Sequence, residues 1–134
     1  MAAIDGRGID EEDKQAFIEL QTRLQSDANA LRKVEQQART AEVERKRAEL
    51  VLQELSQMPE STNTYKTVGR TFVLMSKDDM QHHLKESIEK SEETVKGSKG
   101  SKMYLEKAVK ETEDNIRELL RSSPALASQI AGLN

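Results

Sequence analysis

Two adjacent imidazoles, His82 and His83, are the chain's only histidines. Imidazole ligates metals and moves protons near neutral pH. Neighbouring positions on a helix point apart, so this pair does not close on one ion, and it reads as two surface histidines. Gly97-Ser98-Lys99-Gly100-Ser101-Lys102 has the composition of a phosphate cradle. A phosphate loop needs G-x-x-x-x-G-K-[ST] after a strand. Neither the spacing nor the strand is present, so the segment reads as an irregularity in a helix. Arg45-Lys46-Arg47 is basic, but Glu44 and Glu49 bracket it, which makes it a solvated face. The 24 carboxylates are interspersed with 21 Lys and Arg, and no pair stands apart for acid–base work. There is no cysteine, hence no thiol nucleophile, disulfide or thiolate ligand. The reading is that of a non-enzyme: no catalytic, cofactor-binding or metal-ligating residue is assigned, and no cofactor is expected.

Composition points to what the chain is built for. Charged residues make up 34% and aromatics only 3%, a poor recipe for a globular core and a good one for long helices with a narrow apolar seam. The length suits one domain. A net charge of −3 gives no general reason to bind nucleic acid. No run approaches the ~20 apolar residues that span a bilayer, so no membrane partner is expected. The first residues, MAAIDGRGIDEED, lack the apolar stretch of a signal peptide. Absence of cysteine is compatible with a reducing compartment.

The elements that must position any site are organised around residues 59–76, PESTNTYKTVGRTFVLMS. Thr64 to Val68 and Thr71 to Met75 are rich in Thr, Val, Tyr and Phe, which suit a pleated surface. Gly69-Arg70 reads as a type II′ turn, with Gly supplying the positive φ at the first central position. That turn sets Val68 opposite Thr71, Thr67 opposite Phe72, Lys66 opposite Val73, Tyr65 opposite Leu74 and Thr64 opposite Met75. Alternation puts Tyr65, Thr67, Phe72 and Leu74 on one face, and Val68, Val73 and Met75 beside Lys66 on the other. A lone hairpin is marginal in water and its edges are open to pairing. The missing strands are therefore expected from other chains; the plainer alternative is a hairpin folded back on its own helices.

On each side lies a charged run that reads as helix, about 10–57 and about 77–122. Asp10 or a neighbouring acid fits the first N-cap and Ser76 the second. Pro59 and Pro124 mark the ends. A heptad frame from Phe17 places Phe17, Leu20, Leu24, Asp27, Leu31, Val34, Ala38, Ala41, Arg45, Ala48, Leu52 and Leu55 at successive a and d sites. Ten of these twelve are apolar, which argues for a coiled coil. The second seam, Leu84, Ile88, Ser91, Val95, Ser98, Lys102, Leu105, Val109, Thr112, Ile116 and Leu119, is less regular. Two arms of similar length joined by a hairpin fold back antiparallel. One register pairs Leu52 with Leu84, Arg45 with Ser91, Ala41 with Val95 and Phe17 with Leu119; a shift by one heptad stays open. The middle holds small residues and two glycines, and is where the arm is expected to bend.

The free end carries more apolar groups than two helices can bury. Beside Phe17, Leu20, Ile116 and Leu119 stand Ile18, Leu120 and Ile9, a contact surface for other apolar chains. Residues 123–134 read as a flexible tail that could instead form a short helix.

Helix, β-hairpin and helix in a chain of this size, with NTYKTVGRTFVLMSKDDM at the centre and YLEKAVKETEDNIRELL in the second arm, resembles the β-type subunits of prefoldin over about residues 12–121. The segments that carry the likeness are Tyr65, Val68-Gly69-Arg70 and Phe72, then Tyr104-Leu105-Glu106 and Asp114 to Glu118. Gly97 and Gly100 depart from the smooth helix of that family. The resemblance implies a mainly α fold over 1–134: an antiparallel two-helix coiled coil whose central β-hairpin joins an inter-subunit β-barrel. It implies a cytoplasmic hetero-hexamer of two α-type and four β-type subunits. Such a hexamer holds unfolded polypeptides such as actin and tubulin at the coiled-coil tips. It passes them to the group II chaperonin without ATP. On that basis Tyr65, Thr67, Val68, Gly69, Phe72, Val73 and Leu74 are the oligomerisation hairpin, and Phe17, Ile18, Leu20, Ile116, Leu119 and Leu120 the client-binding tips. The alternative is a structural coiled-coil adaptor for one folded partner.

Overall fold

A computed structural model describes residues 10–132, in the order α1 (Glu11–Ser56), β1 (Thr64–Val68), β2 (Thr71–Met75), α2 (Lys77–Ser122) and α3 (Pro124–Gly132). Ile9 lies outside the described residues. The fold is mainly helical, with two long antiparallel helices that pack together and a central antiparallel hairpin. α1 is 46 residues long, roughly 70 Å at ~1.5 Å per residue. Nothing in its sequence breaks it: Gly and Pro are absent from 11 to 58. Its start is capped by Asp10, whose carboxylate accepts from the Glu12 N–H at 3.0 Å. Glu11, Glu12 and Asp13 complement the positive end of the helix. It ends in a tightened turn, with Gln57 N–H on the Glu54 carbonyl and Met58 N–H on the Leu55 carbonyl, just before Pro59. α2 is also 46 residues long and is capped by Ser76, whose Oγ accepts from the Asp79 N–H at 3.1 Å.

The heptad frame is visible in the burial. Every a and d position of α1 from Phe17 to Leu55 is shielded, including Asp27 and Arg45. On α2 the same holds with one exception: Lys102 is exposed, its ammonium 3.8 Å from Glu106. A lysine there keeps its charge in water instead of entering the seam. The deepest positions are the small ones, Ala41, Ala48, Ser91, Ser98 and Thr112, together with Leu55. Two helices enclose a methyl or hydroxyl fully, while the other seam Leu residues reach the rim and stay partly in water; Leu55, near the hairpin, is the exception. Full burial of such a side chain is worth ~1.5–3 kcal/mol, so half-burial gives about 1 kcal/mol per site. The helices are held by many such increments and by no single core.

The described chain forms two compact units. One comprises residues 34–100: the second part of α1, the hairpin and the first part of α2. In it, Ala41 shares a groove with Ser91 and Thr94, and Arg45 shares another with Glu92 and Val95. These grooves place residues 36–45 of α1 alongside residues 87–99 of α2. The other unit comprises 10–33 and 101–132: the first part of α1, the second part of α2, and α3. Within residues 123–134, expected as a flexible tail or a short helix, Pro124–Gly132 form a helix. Pro124 takes its first turn, where a missing N–H costs nothing. The Ala127 N–H donates to the Ser123 carbonyl at 3.1 Å, and Leu126 is the least exposed apolar side chain described, at 3%. Apolar spacing at Leu126 and Ile130 gave α3 a face to bury.

Candidate functional site: the hairpin and the coil end

The hairpin has the register read from its turn: Thr64↔Met75, Tyr65↔Leu74, Lys66↔Val73, Thr67↔Phe72 and Val68↔Thr71. Gly69 sits at φ 62° and is the sole described residue with positive φ. The Thr71 hydroxyl closes the turn by donating to the Val68 carbonyl at 2.8 Å. At the open end the Thr64 hydroxyl donates to the Met75 carbonyl. The two faces differ. Thr64, Lys66 and Met75 are partly shielded, whereas Tyr65, Thr67, Phe72 and Leu74 are all exposed, Phe72 at 73%. Val68 and Val73, on the first of these faces, are also exposed. The sheet has two strands, so each strand keeps one unpaired edge.

One residue that anchors this hairpin escaped the sequence reading. Lys77, the first residue of α2, is buried, and its Nζ donates to the Met58 carbonyl at 2.8 Å and to Glu60 at 3.3 Å. It ties the start of one helix to the end of the other across the root of the hairpin. A Lys at a helix start opposes the helix dipole, and that local oddity was the available signal. Arg45, a charge on the seam, is resolved within its own helix. It donates to Glu42 one turn back and to Glu49 one turn on, the latter at 2.8 Å. The Arg45 hydrogen bond holds the Glu42 carboxyl below its ordinary range, against a smaller opposing effect of desolvation. Glu42 in turn raises Arg45, which stays charged.

The six candidate tip residues fall in one compact unit. Phe17, Leu20, Ile116, Leu119 and Leu120 are half-buried there, and Ile18 is open at 48%. α3 lies in the same unit, with Leu126 buried.

The remaining chemistry-bearing residues stay apart. His82 and His83 are exposed, with His82 Nε2 3.5 Å from Glu86. No group of three His, Asp or Glu among the described residues is placed to hold a metal. Gly97 and Gly100 lie within α2. No described helix is long and apolar enough to cross a membrane.

Two long helices that share a seam, joined by a hairpin whose apolar face stays open, define the class of protein. Comparison with known proteins gives the class its family. The family model described as "Prefoldin subunit" matches residues 18–123. Prefoldin subunit 1 of Arabidopsis thaliana is 43% identical over 125 residues, 93% of this chain and 98% of that protein. Prefoldin subunit 1 of Tetraodon nigroviridis is 39% identical over 117 residues, 87% and 96% respectively. Among solved structures, the crystal structure of the prefoldin beta subunit from Thermococcus strain KS-1 is similar with a TM-score of 0.66 and 30% identity, covering 85% of this chain and 96% of that one. The chain belongs to the prefoldin family, as a subunit of a non-enzymatic co-chaperone that assembles with other prefoldin subunits.

Proposed function

We propose that this chain is a β-type subunit of a cytoplasmic prefoldin hexamer with two α-type and four β-type subunits, assembled through its hairpin. The observation that carries the reading is the open face Tyr65, Thr67, Phe72 and Leu74 on a sheet of two strands. Unpaired strand edges take further strands through main-chain hydrogen bonds, and alternate side chains then supply specificity. At the other unit, Ile18 and the half-buried Phe17, Leu20, Ile116, Leu119 and Leu120 hold unfolded polypeptides, nascent actin and tubulin among them. Each contact is weak, and several arms acting on one client raise the effective concentration. No nucleotide site is needed for such holding; release passes the client to the group II chaperonin.

The test is native mass spectrometry of the chain co-expressed with the other five subunits, wild type against Phe72→Asp. One copy in a wild-type hexamer and none for the variant is the expected result. Incorporation of Phe72→Asp at wild-type level would remove the hairpin from the assembly interface. Saturable binding to a single folded protein, with no suppression of aggregation, would favour the adaptor reading.

A further inference from the structure

The heptad frame of α1 shows where a second contact lies. Reading g positions from the start gives Arg23, Ala30, Gln37 and Glu44, then Val51 and Met58; f positions run Thr22, Asn29, Gln36, then Val43 and Leu50. A two-helix seam needs apolar residues only at a and d, and g positions ordinarily carry charge. Here Leu50, Val51 and Met58 gather beside the hairpin, starting one heptad on from the exposed Val43. These side chains are open to water: Leu50 at 63%, Val51 at 44% and Met58 at 41%.

They form one wall of a groove of about 530 Å³. Tyr65 at the root of β1 and Met80 in the first turn of α2 close it, Leu55 lines its floor, and Glu54, Asn63 and Thr64 provide a polar rim. All of it lies within the compact unit 34–100. Apolar surface at a helix end next to an open sheet marks a surface that another chain covers.

We propose that this groove receives an apolar or aromatic side chain from the hairpin of a neighbouring prefoldin subunit, so that the interface continues from the sheet onto the end of α1. The inference rests on assembly through the hairpin. Its occupant follows from continuity. Thr64 and Tyr65 belong both to the groove and to β1. A strand added to the free edge of β1 would lie ~4.8 Å away, with every second side chain directed to the groove side. A neighbour of the same fold has such side chains to offer, as this chain itself presents Phe72 and Leu74.

The chain has no cysteine, so Val51→Cys gives it a single thiol at a conservative, exposed site. Its alkylation, read by mass spectrometry of this subunit, is expected to be at least ten-fold slower in the assembled hexamer than in the free subunit. Val43→Cys, exposed but outside the groove, should be labelled at similar rates in both. Leu50→Glu is expected to weaken incorporation at least ten-fold with helicity of the free chain unchanged, and Val43→Glu to leave it intact. Equal labelling of Val51→Cys in both states overturns the proposal, as does protection that appears only on adding an unfolded client. If Phe72→Asp blocks assembly while Leu50→Glu incorporates normally, the groove inference falls and the hairpin reading stands. If Phe72→Asp incorporates too, the hairpin reading has failed first.

Discussion

Lys77 shows how a single side chain fixes a hairpin between two helices. Its ammonium is buried on the Met58 carbonyl, which has no helical partner beyond the end of α1. Lys77→Met keeps the stem and removes the donor, leaving that carbonyl unpaired. The expected cost is about 1–3 kcal/mol in chemical denaturation; a loss below ~0.5 kcal/mol, the usual scale of a neutral surface change, would show the contact to be dispensable. Glu42 gives a pH-dependent counterpart. Its carboxyl is held below its unfolded value, chiefly by the Arg45 hydrogen bond. Such a group adds stability that is present above the ordinary carboxylate range and is lost as pH falls through the lowered value. Glu42→Gln should therefore be less stable than wild type at neutral pH, and the two melting temperatures should converge in strong acid. A difference that persists unchanged in acid would assign the effect to packing. At the turn, Gly69 has open space around its missing Cβ but a positive φ. Gly69→Ala should cost about 1 kcal/mol for backbone reasons alone, and Gly69→Asn should recover part of it.

The glycines of α2 obey the opposite rule. Gly97 and Gly100 are helical, and an added Cβ meets nothing within 4 Å at either. Ala at each should stabilise by roughly 0.5–1 kcal/mol. The same stretch, with Ser98 and Lys102 on its seam, is expected to exchange its amides faster than the turns around Leu24 and Leu52, and Gly97→Ala/Gly100→Ala should slow it. Uniform protection along α2 would contradict this. At this scale the sequence was readable where the determinants are local. The heptad positions, both N-caps, the Gly69 turn and the hairpin register follow from residues a few positions apart. What was not readable depends on contacts far along the chain: Lys77 reaching Met58, and Leu126 finding cover in a unit that includes the start of α1. Arg45 lies between. Its partners Glu42 and Glu49 are one turn away on either side, so the i,i+3 and i,i+4 spacing held the answer although a partner on α2 was expected.

At the scale of the whole molecule, the two compact units divide the proposed work: one carries the hairpin and its groove, the other the coil end with α3. Leu126 of α3 is buried in the unit that holds Phe17, Leu20, Ile116, Leu119 and Leu120. Ile18 is the member left open. Three variants test aggregation suppression by the proposed hexamer. Ile18→Ser should reduce holding with little cost in stability, because the side chain is half in water already. The effect should be modest, roughly two-fold, because the other arms of a multivalent holder compensate. Removing residues 123–134 should act the other way. It uncovers apolar surface, so the hexamer should bind a hydrophobic dye more strongly and hold an unfolded client for longer, while incorporation through the hairpin is unchanged. Leu126→Ala should reproduce part of that gain, and as a large-to-small change at a buried site it should cost about 2 kcal/mol or more in local stability. If truncation instead lowers holding, α3 is itself part of the client surface, and the contacts would have to be sought on Leu126 and Ile130.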